Sequence, residues 1–223
     1  MAKKTNEQDI FTVTGNTFKL IIDSWQALLL NVRTFILLAI IPMVVFLLAI
    51  PFVLIPFFMH GSSRTIGGFI AFLVVLAALA IAFVFVPAIT ITQIASAKGQ
   101  KMEFDDAIKQ ARPIVWRYLG LTLLTGLSVV LGLVLLIIPG LLAAFFFSMA
   151  TYIFLDKKTG VTEAMRKSYE LVKNNWVLVL SLFVVNAVVS AVSYIPIVGW
   201  IISMALSFAY FCLPAIIYTK IRQ

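Results

Sequence analysis

The chain has 223 residues, of which 62% are hydrophobic and only 12% are charged, and its formal net charge is +8. This composition leaves too little polar surface to enclose a soluble core, so it excludes a soluble globular protein and predicts an all-α, polytopic integral membrane protein. One histidine and one cysteine are too few for the usual metal sites or for an intramolecular disulfide. We therefore expect no metal, no cofactor and no catalytic residue.

Six uncharged apolar runs are candidates for membrane-spanning helices. A spanning helix needs about 20 predominantly apolar residues. The runs lie at about 34–58, 66–95, 117–138, 141–155, 176–195 and 200–219. The fourth run would rise only about 22 Å as a helix, so the turn before it is expected to be drawn toward the membrane interior.

The charged residues predict the orientation of the chain. Sixteen of the 17 lysines and arginines, counting Arg117 at the boundary of the third run, and all nine acidic residues fall before the first run, after the sixth, or in the loops that follow the second and fourth. Only Arg64 lies in a loop on the other side. Because short loops rich in Lys and Arg stay in the cytoplasm, both termini are expected to be cytoplasmic. The first 20 residues contain no apolar run, so no cleaved signal peptide is expected.

Three prolines indicate an internal repeat. Pro56, Pro139 and Pro196 each follow an isoleucine, and each lies 33 positions after an acidic residue. An amphipathic stretch precedes each outward span, at about 14–30, 103–112 and 161–173. Each unit is therefore predicted to be an interfacial helix, a span, a turn and a returning span. After a cytoplasmic tail over residues 1–13, the three predicted units cover 14–97, 98–156 and 157–223.

The turns of the units are predicted at these prolines and at nearby glycines. Proline has no backbone N–H to donate and disfavours helix in the residue before it, whereas glycine permits a tight turn. The predicted turn residues are Pro56, Pro139, Gly140, Pro196 and Gly199.

Two segments carry a resemblance to known membrane proteins. Residues 136–140 (Leu-Ile-Ile-Pro-Gly) and 163–176 resemble the membrane domain fused to some prokaryotic glycerophosphodiester phosphodiesterases. They also resemble the uncharacterised YciC-like inner-membrane proteins. The resemblance covers roughly residues 11–219 and implies a six-helix prokaryotic plasma-membrane protein without a defined role of its own. In the fused enzymes the chemistry belongs to a soluble barrel, which this chain lacks, so the resemblance implies no catalytic residue here.

Apart from Arg117 at the boundary of the third, the predicted spans contain neutral polar side chains but no charged ones. Ion-coupled transport usually requires ionisable groups at membrane depth. Asn186, in the middle of the fifth span, is expected to hydrogen-bond a neighbouring helix, which is the usual role of such an amide. A solute pathway lined by neutral polar groups remains an alternative.

The cationic cytoplasmic face suggests a partner. Cations beside a membrane attract anionic lipid headgroups, although charges that only set the topology would look the same. The candidate lipid contacts are Lys157, Lys158, Arg166, Lys167 and Lys173. We predict a non-enzymatic module of the prokaryotic plasma membrane that organises lipid or a membrane-protein partner and does not bind nucleic acid. The alternative is a small transporter or permease subunit with a neutral polar pathway between the repeats.

Overall fold

The computed structural model describes residues 7–58, 60–194 and 198–222 of the chain, and within these residues the only regular structure is helical. A short 3-10 turn, Arg112–Ile114, joins the fourth helix to the fifth. The helices are α1 (Glu7–Leu30), α2 (Val32–Phe58), α3 (Ser62–Ala97), α4 (Phe104–Ala111), α5 (Val115–Leu135), α6 (Ile137–Phe147), α7 (Ala150–Lys157), α8 (Val161–Asn174), α9 (Trp176–Ser193), α10 (Val198–Tyr210) and α11 (Leu213–Ile221).

Within the described residues, six helical segments are long and apolar enough to cross a membrane, which confirms the predicted all-α, multi-pass membrane fold. Three of these segments contain two helices each: the third holds α4 and α5 with the 3-10 turn between them, the fourth holds α6 and α7, and the sixth holds α10 and α11. The six segments are Val32–Pro56, Thr65–Ala97, Phe104–Leu135, Ile137–Lys157, Trp176–Ser193 and Ile201–Ile221.

The fourth span is longer than the predicted range 141–155. It covers Ile137–Lys157, which is 21 residues and about 31 Å of helix. The helix resumes directly after Leu136, whose backbone is extended (φ −161°, ψ 142°). Pro139 therefore lies in the first turn of α6, where a backbone N–H has no partner within the helix anyway. The span is long enough for the hydrocarbon core, so its length gives no reason to draw the turn inward.

The structure describes two of the other three predicted turn residues, Pro56 and Gly199, and places both inside helices. The predicted helix stop at Pro56 is wrong, because α2 continues through this proline to Phe58. This close to the helix end, the ring removes only one backbone hydrogen bond. Gly199 is the second residue of α10, and Pro196 lies outside the described residues. The glycine that the structure places in the first turn region is Gly61, which has φ 65° and directly precedes α3.

Helices form at the three amphipathic stretches. α1 begins at Glu7, ahead of the predicted start at residue 14, whereas α4 and α8 match their predicted ranges to within about a residue at each end. The inward residues of α4 and α8 repeat every four positions and are fully buried in protein: Ala107 and Ala111, and Ala164, Ser168 and Val172. These two helices therefore use part of their apolar faces to pack on the bundle.

The core lies at the end of the molecule that carries Lys98, Asp156 and Lys220, hereafter the charged end. One cluster of buried side chains joins α1, the start of α2, the last third of α3, α4, the starts of α5 and α9, and α7, α8 and α11. Away from it, the helices pack as three hairpins, α2 with α3, α5 with α6, and α9 with α10, which expose many large apolar side chains. Ring contacts link the hairpins pairwise: Phe83 with Tyr118 (6.0 Å), Phe145 with Phe183 (5.4 Å) and Phe35 with Phe211 (5.3 Å).

Candidate functional site at the charged end

Polar side chains of neighbouring helices bind the backbone where the fourth and sixth spans are interrupted. Between α10 and α11, the Cys212 N–H donates to Ser24 Oγ (3.1 Å), and Gln93 Nε2 donates to the Phe211 carbonyl (3.0 Å). Near the α6–α7 break, Ser168 Oγ donates to a carbonyl of α6 (2.7 Å). A broken helix inside a membrane needs such partners because lipid offers no hydrogen bonds. These groups therefore serve the structure of the spans.

Asn31 holds the loop between α3 and α4 against the start of α2. Its Nδ2 donates to Ser96 Oγ (2.8 Å) and to the Gln100 carbonyl (2.9 Å), while its Oδ1 accepts from the Met102 N–H (2.7 Å). Thr34 Oγ1 donates to the Met102 carbonyl (2.7 Å). Asn31 is only 5% exposed, so this amide replaces water for both segments.

Asp156 joins the charged ends of three helices. Its side chain is 5% exposed and accepts from Lys98 Nζ (2.5 Å), just after α3, and from Tyr218 OH (2.8 Å) in α11. Arg222, after the end of α11, also pairs with this carboxylate. The sequence reasoning missed Asp156, because it lies one residue beyond an apolar run and precedes two lysines, as an ordinary loop charge would.

A cleft of about 780 Å³ opens next to this cluster and shares Lys98 with it. Three segments form it: one face of α1, the end of α3 with Gly99, and the last turns of α11. Lys220 Nζ lies 3.6 Å from Asp23 Oδ2 across the cleft. The lining also contains Gln26, Ala27, Leu30, Ser96, Ala97, Ile216 and Thr219.

The five predicted lipid contacts do not form one cluster. They lie at the end of α7 and along α8, and all but Lys167 are exposed. Two of them have acidic partners one turn away, since Lys167 Nζ lies 2.5 Å from Glu163 and Arg166 Nε lies 4.0 Å from Glu170. The hydrogen bond and the charge of Lys167 lower the pKa of Glu163. Lys157, Lys158 and Lys173 have no acidic partner among the residues that the structure describes, and Lys173 Nζ lies 5.8 Å from the centre of the Tyr169 ring.

Among the described residues Asn186 makes no hydrogen bond to a neighbouring helix, so that prediction was wrong. The amide is exposed on α9, and its hydrogen bond comes from Ser190 Oγ (3.4 Å), one turn later in the same helix. α9 packs on α10, and Val189, one turn after Asn186, is buried, but the Asn186 side chain itself stays exposed. The amide lies ten residues after Trp176, which places it about 15 Å along the span.

A match to a protein-family model shows to which family the chain belongs. The family model of an uncharacterised protein family, UPF0259, matches residues 70–218. The chain belongs to this family. The match includes Asp156, Asn186 and nearly all of the core, and it ends before Lys220. Comparison with curated proteins gives no match, and comparison with solved structures gives none.

The UPF0259 fold offers binding chemistry at its charged end. Ammonium groups, a carboxamide and hydroxyl groups line the cleft there, and exposed cations lie beside the span ends. Among the described residues, no group of three or more His, Cys, Asp or Glu side chains could hold a metal ion. The family is described as uncharacterised, so membership adds no activity to what the residues themselves suggest.

Proposed function

We propose that this protein is a non-catalytic module of the prokaryotic plasma membrane that organises anionic lipid, with a membrane-protein partner as a further occupant of the same face. The carrying observation is the band of exposed cations beside the span ends, namely Lys157, Lys158, Arg166 and Lys173. Each cation at a membrane surface contributes about 1 kcal/mol of attraction to anionic lipid. The prokaryotic plasma membrane is proposed from the resemblance of segments 136–140 and 163–176 to prokaryotic membrane domains.

The hydrogen-bonding pattern supports a structural rather than a chemical use of the buried polar groups. Asn31, Gln93 and Asp156 all bind backbone or side-chain partners within the fold. A module of this kind needs a stable core and a charged rim, and both occur at the same end of the helices.

The test is the composition of the lipid that remains bound to the protein. The protein is incorporated into vesicles of phosphatidylcholine mixed with phosphatidylglycerol, extracted mildly, and its bound lipid is quantified. We expect enrichment of phosphatidylglycerol over the vesicle composition, and a smaller enrichment at high salt because salt screens exposed charges. A bound-lipid fraction equal to that of the vesicles would contradict the proposal.

A second candidate function, a small transporter with a neutral polar pathway, is favoured by Asn186. An amide exposed at mid-depth on a span is costly in lipid, and transporters place substrate groups near the midplane between repeats. The test is uptake of neutral polar solutes into proteoliposomes by the wild type and by Asn186→Leu. If Asn186→Leu abolishes uptake and leaves the thermal stability unchanged, the transporter becomes the better proposal and the lipid module is rejected. Absence of uptake by the wild type would leave the lipid module.

We further infer that the three hairpin units are copies of one ancestral unit. Each hairpin follows an amphipathic helix, since α1 precedes α2, α4 precedes α5 and α8 precedes α9. Experimental coordinates of the whole chain would test this. If the three units are superposed and Pro56, Pro139 and Pro196 fall at unrelated depths, the inference of a repeat is contradicted.

A further inference from the structure

We propose that the cleft between α1, α3 and α11 binds the phosphate group of an anionic phospholipid, with the acyl chains lying on the exposed apolar face of α1. This inference rests on the proposed preference for anionic lipid and assigns it a site separate from α8. The cleft volume of about 780 Å³ falls in the range of ordinary ligand pockets, roughly 300–1,000 Å³.

The depth of the cleft in the membrane suits a headgroup. Lys98 directly follows α3, which ends the second span at Ala97, and Lys220 lies in the last turn of the sixth span, which ends at Ile221. Both ammonium groups are thus at the boundary of the apolar region. Basic pockets between spans on the cytoplasmic side are a recurring way to hold phospholipid headgroups.

The hydrogen-bonding groups of the cleft suit a phosphate. Lys220 is 49% exposed, and its 3.6 Å separation from Asp23 is looser than the 2.5 Å contact of Lys98 with Asp156, so Lys220 is the freer of the two cations. The side-chain amide of Gln26 is exposed and has no hydrogen-bond partner among the described residues. An ammonium and an amide donor facing one cleft provide charge-assisted hydrogen bonds to a phosphate.

The neighbouring face of α1 distinguishes a lipid from free phosphate. Asp23, Gln26 and Leu30 line the cleft. Ile22, Trp25 and Leu29 repeat with the same helical spacing on the adjoining face and are exposed by 46%, 44% and 50%. An apolar stripe beside a cationic cleft matches the two chemical parts of a phospholipid.

Two variants remove the binding chemistry without touching the Asp156 cluster. Lys220→Gln deletes the freer cation, and Gln26→Glu adds a carboxylate where the structure shows a free amide. Their matched controls make the same charge changes at exposed α4 positions outside both sets of proposed lipid contacts: Lys109→Gln and Gln110→Glu. Thermal stability of all four in detergent should match the wild type, because none of these side chains is buried.

The measurement is a titration of phosphatidylglycerol into detergent-solubilised full-length protein, followed by native mass spectrometry. Lys220→Gln and Gln26→Glu are each expected to weaken the binding of the first lipid about fivefold, the factor that one headgroup-level charge supplies. The two controls should bind like the wild type. Inorganic phosphate, added as a competitor, should displace little lipid because it has no acyl chains to lie on α1. Complete displacement by phosphate would overturn the assignment of a lipid.

The other outcomes separate this site from the proposed function. Equal weakening in all four variants would mean diffuse attraction, which overturns the cleft site and keeps the lipid module. Weakening in the α4 controls alone would move the lipid to α4 and also overturn the cleft. A wild type that binds phosphatidylcholine as tightly as phosphatidylglycerol would overturn both.

Discussion

Asp156 and Asn31 are buried polar side chains that hold separate segments of the chain together at the charged end. Asp156 connects the ends of α3, α7 and α11 through charged partners, and Asn31 connects α1 and α2 to the α3–α4 loop through neutral hydrogen bonds. A buried polar group whose partners are removed costs more than its hydrogen bonds contribute, so both residues should be sensitive to substitution.

Asp156→Asn is expected to lower the free energy of unfolding by about 2 kcal/mol. The change removes the charge that balances Lys98 and Arg222, and hydrogen bonds to charged groups are worth about 1.5–3 kcal/mol each. We place the loss near the lower part of this range, because Lys98 and Arg222 are 35% and 39% exposed and can be hydrated. Thermal unfolding in detergent measures the effect.

Glu170→Gln is the control for Asp156→Asn. Glu170 is 62% exposed and lies 4.0 Å from Arg166, so its loss should change stability by less than about 0.5 kcal/mol. Equal melting temperatures for the two variants would show that the Asp156 cluster does not join the helix ends.

Asn31→Ala should destabilise the protein by about 2–3 kcal/mol, since it removes three hydrogen bonds and leaves the Met102 N–H without its acceptor. Hydrogen exchange at residues 100–103 should accelerate as well. Asn174→Ala, at an exposed position, is the matched control and should leave both stability and exchange unchanged. Unchanged exchange in Asn31→Ala would contradict the role of Asn31 in the loop.

The sequence predicted which residues lie in a span better than it predicted what surrounds each residue. Asn186 was correctly placed inside the fifth span, but helical periodicity does not show that its side chain stays exposed. Asp156, by contrast, is covered by groups that are distant in the sequence. Its partners Lys98 and Tyr218 cannot be identified from the residues around Asp156. The same limit applies to the cleft, whose lining comes from three separate parts of the chain.

At the scale of the elements, the α5–α6 hairpin depends on a close contact between two glycines. A Cβ added at Gly132 would lie 2.7 Å from Gly140 Cα and 2.8 Å from Gly140 N. A Cβ added at Gly140 would lie 2.5 Å from the backbone N of Leu133. Close helix contacts in membranes generally use such small residues.

Gly140→Ala is therefore expected to force the two backbones apart and to destabilise the hairpin by about 1–3 kcal/mol, the usual cost of overpacking. Gly126→Ala on α5 is the matched control, because no heavy atom lies within 4 Å of its added Cβ. Its stability should be equal to that of the wild type or slightly higher, since alanine favours helix. Equal melting temperatures for Gly140→Ala and Gly126→Ala would contradict the close contact between the two glycines.

The existence of the elements was predictable from apolar length and amphipathic spacing, but their boundaries were not. Proline was expected to stop each outward span, yet Pro56 lies inside the last turn of α2 and Pro139 inside the first turn of α6. In the first turn of a helix the missing N–H removes no hydrogen bond, and in the last turn it removes only one, so the identity of the residue alone does not fix on which side of it the helix ends.

At the scale of the whole molecule, the buried core and nearly all charges lie at the same end of the helices. The hairpins extend from this end and expose apolar side chains, which suits a lipid environment. The composition predicted that the protein lies in a membrane, and the charge distribution predicted that both termini are cytoplasmic. The proposed lipid module and its cleft both require that orientation, because they place the cationic end beside the cytoplasmic leaflet.

Cysteine labelling in intact cells tests the orientation most directly. Cys212 is fully buried, so the natural chain should be unreactive and give a clean background. Ser63→Cys, in the exposed turn region of the first hairpin, should react with a membrane-impermeant maleimide added outside. Lys101→Cys and Lys158→Cys should react only after the membrane is permeabilised. Labelling of Lys101→Cys and Lys158→Cys in intact cells, with Ser63→Cys protected, would contradict the account.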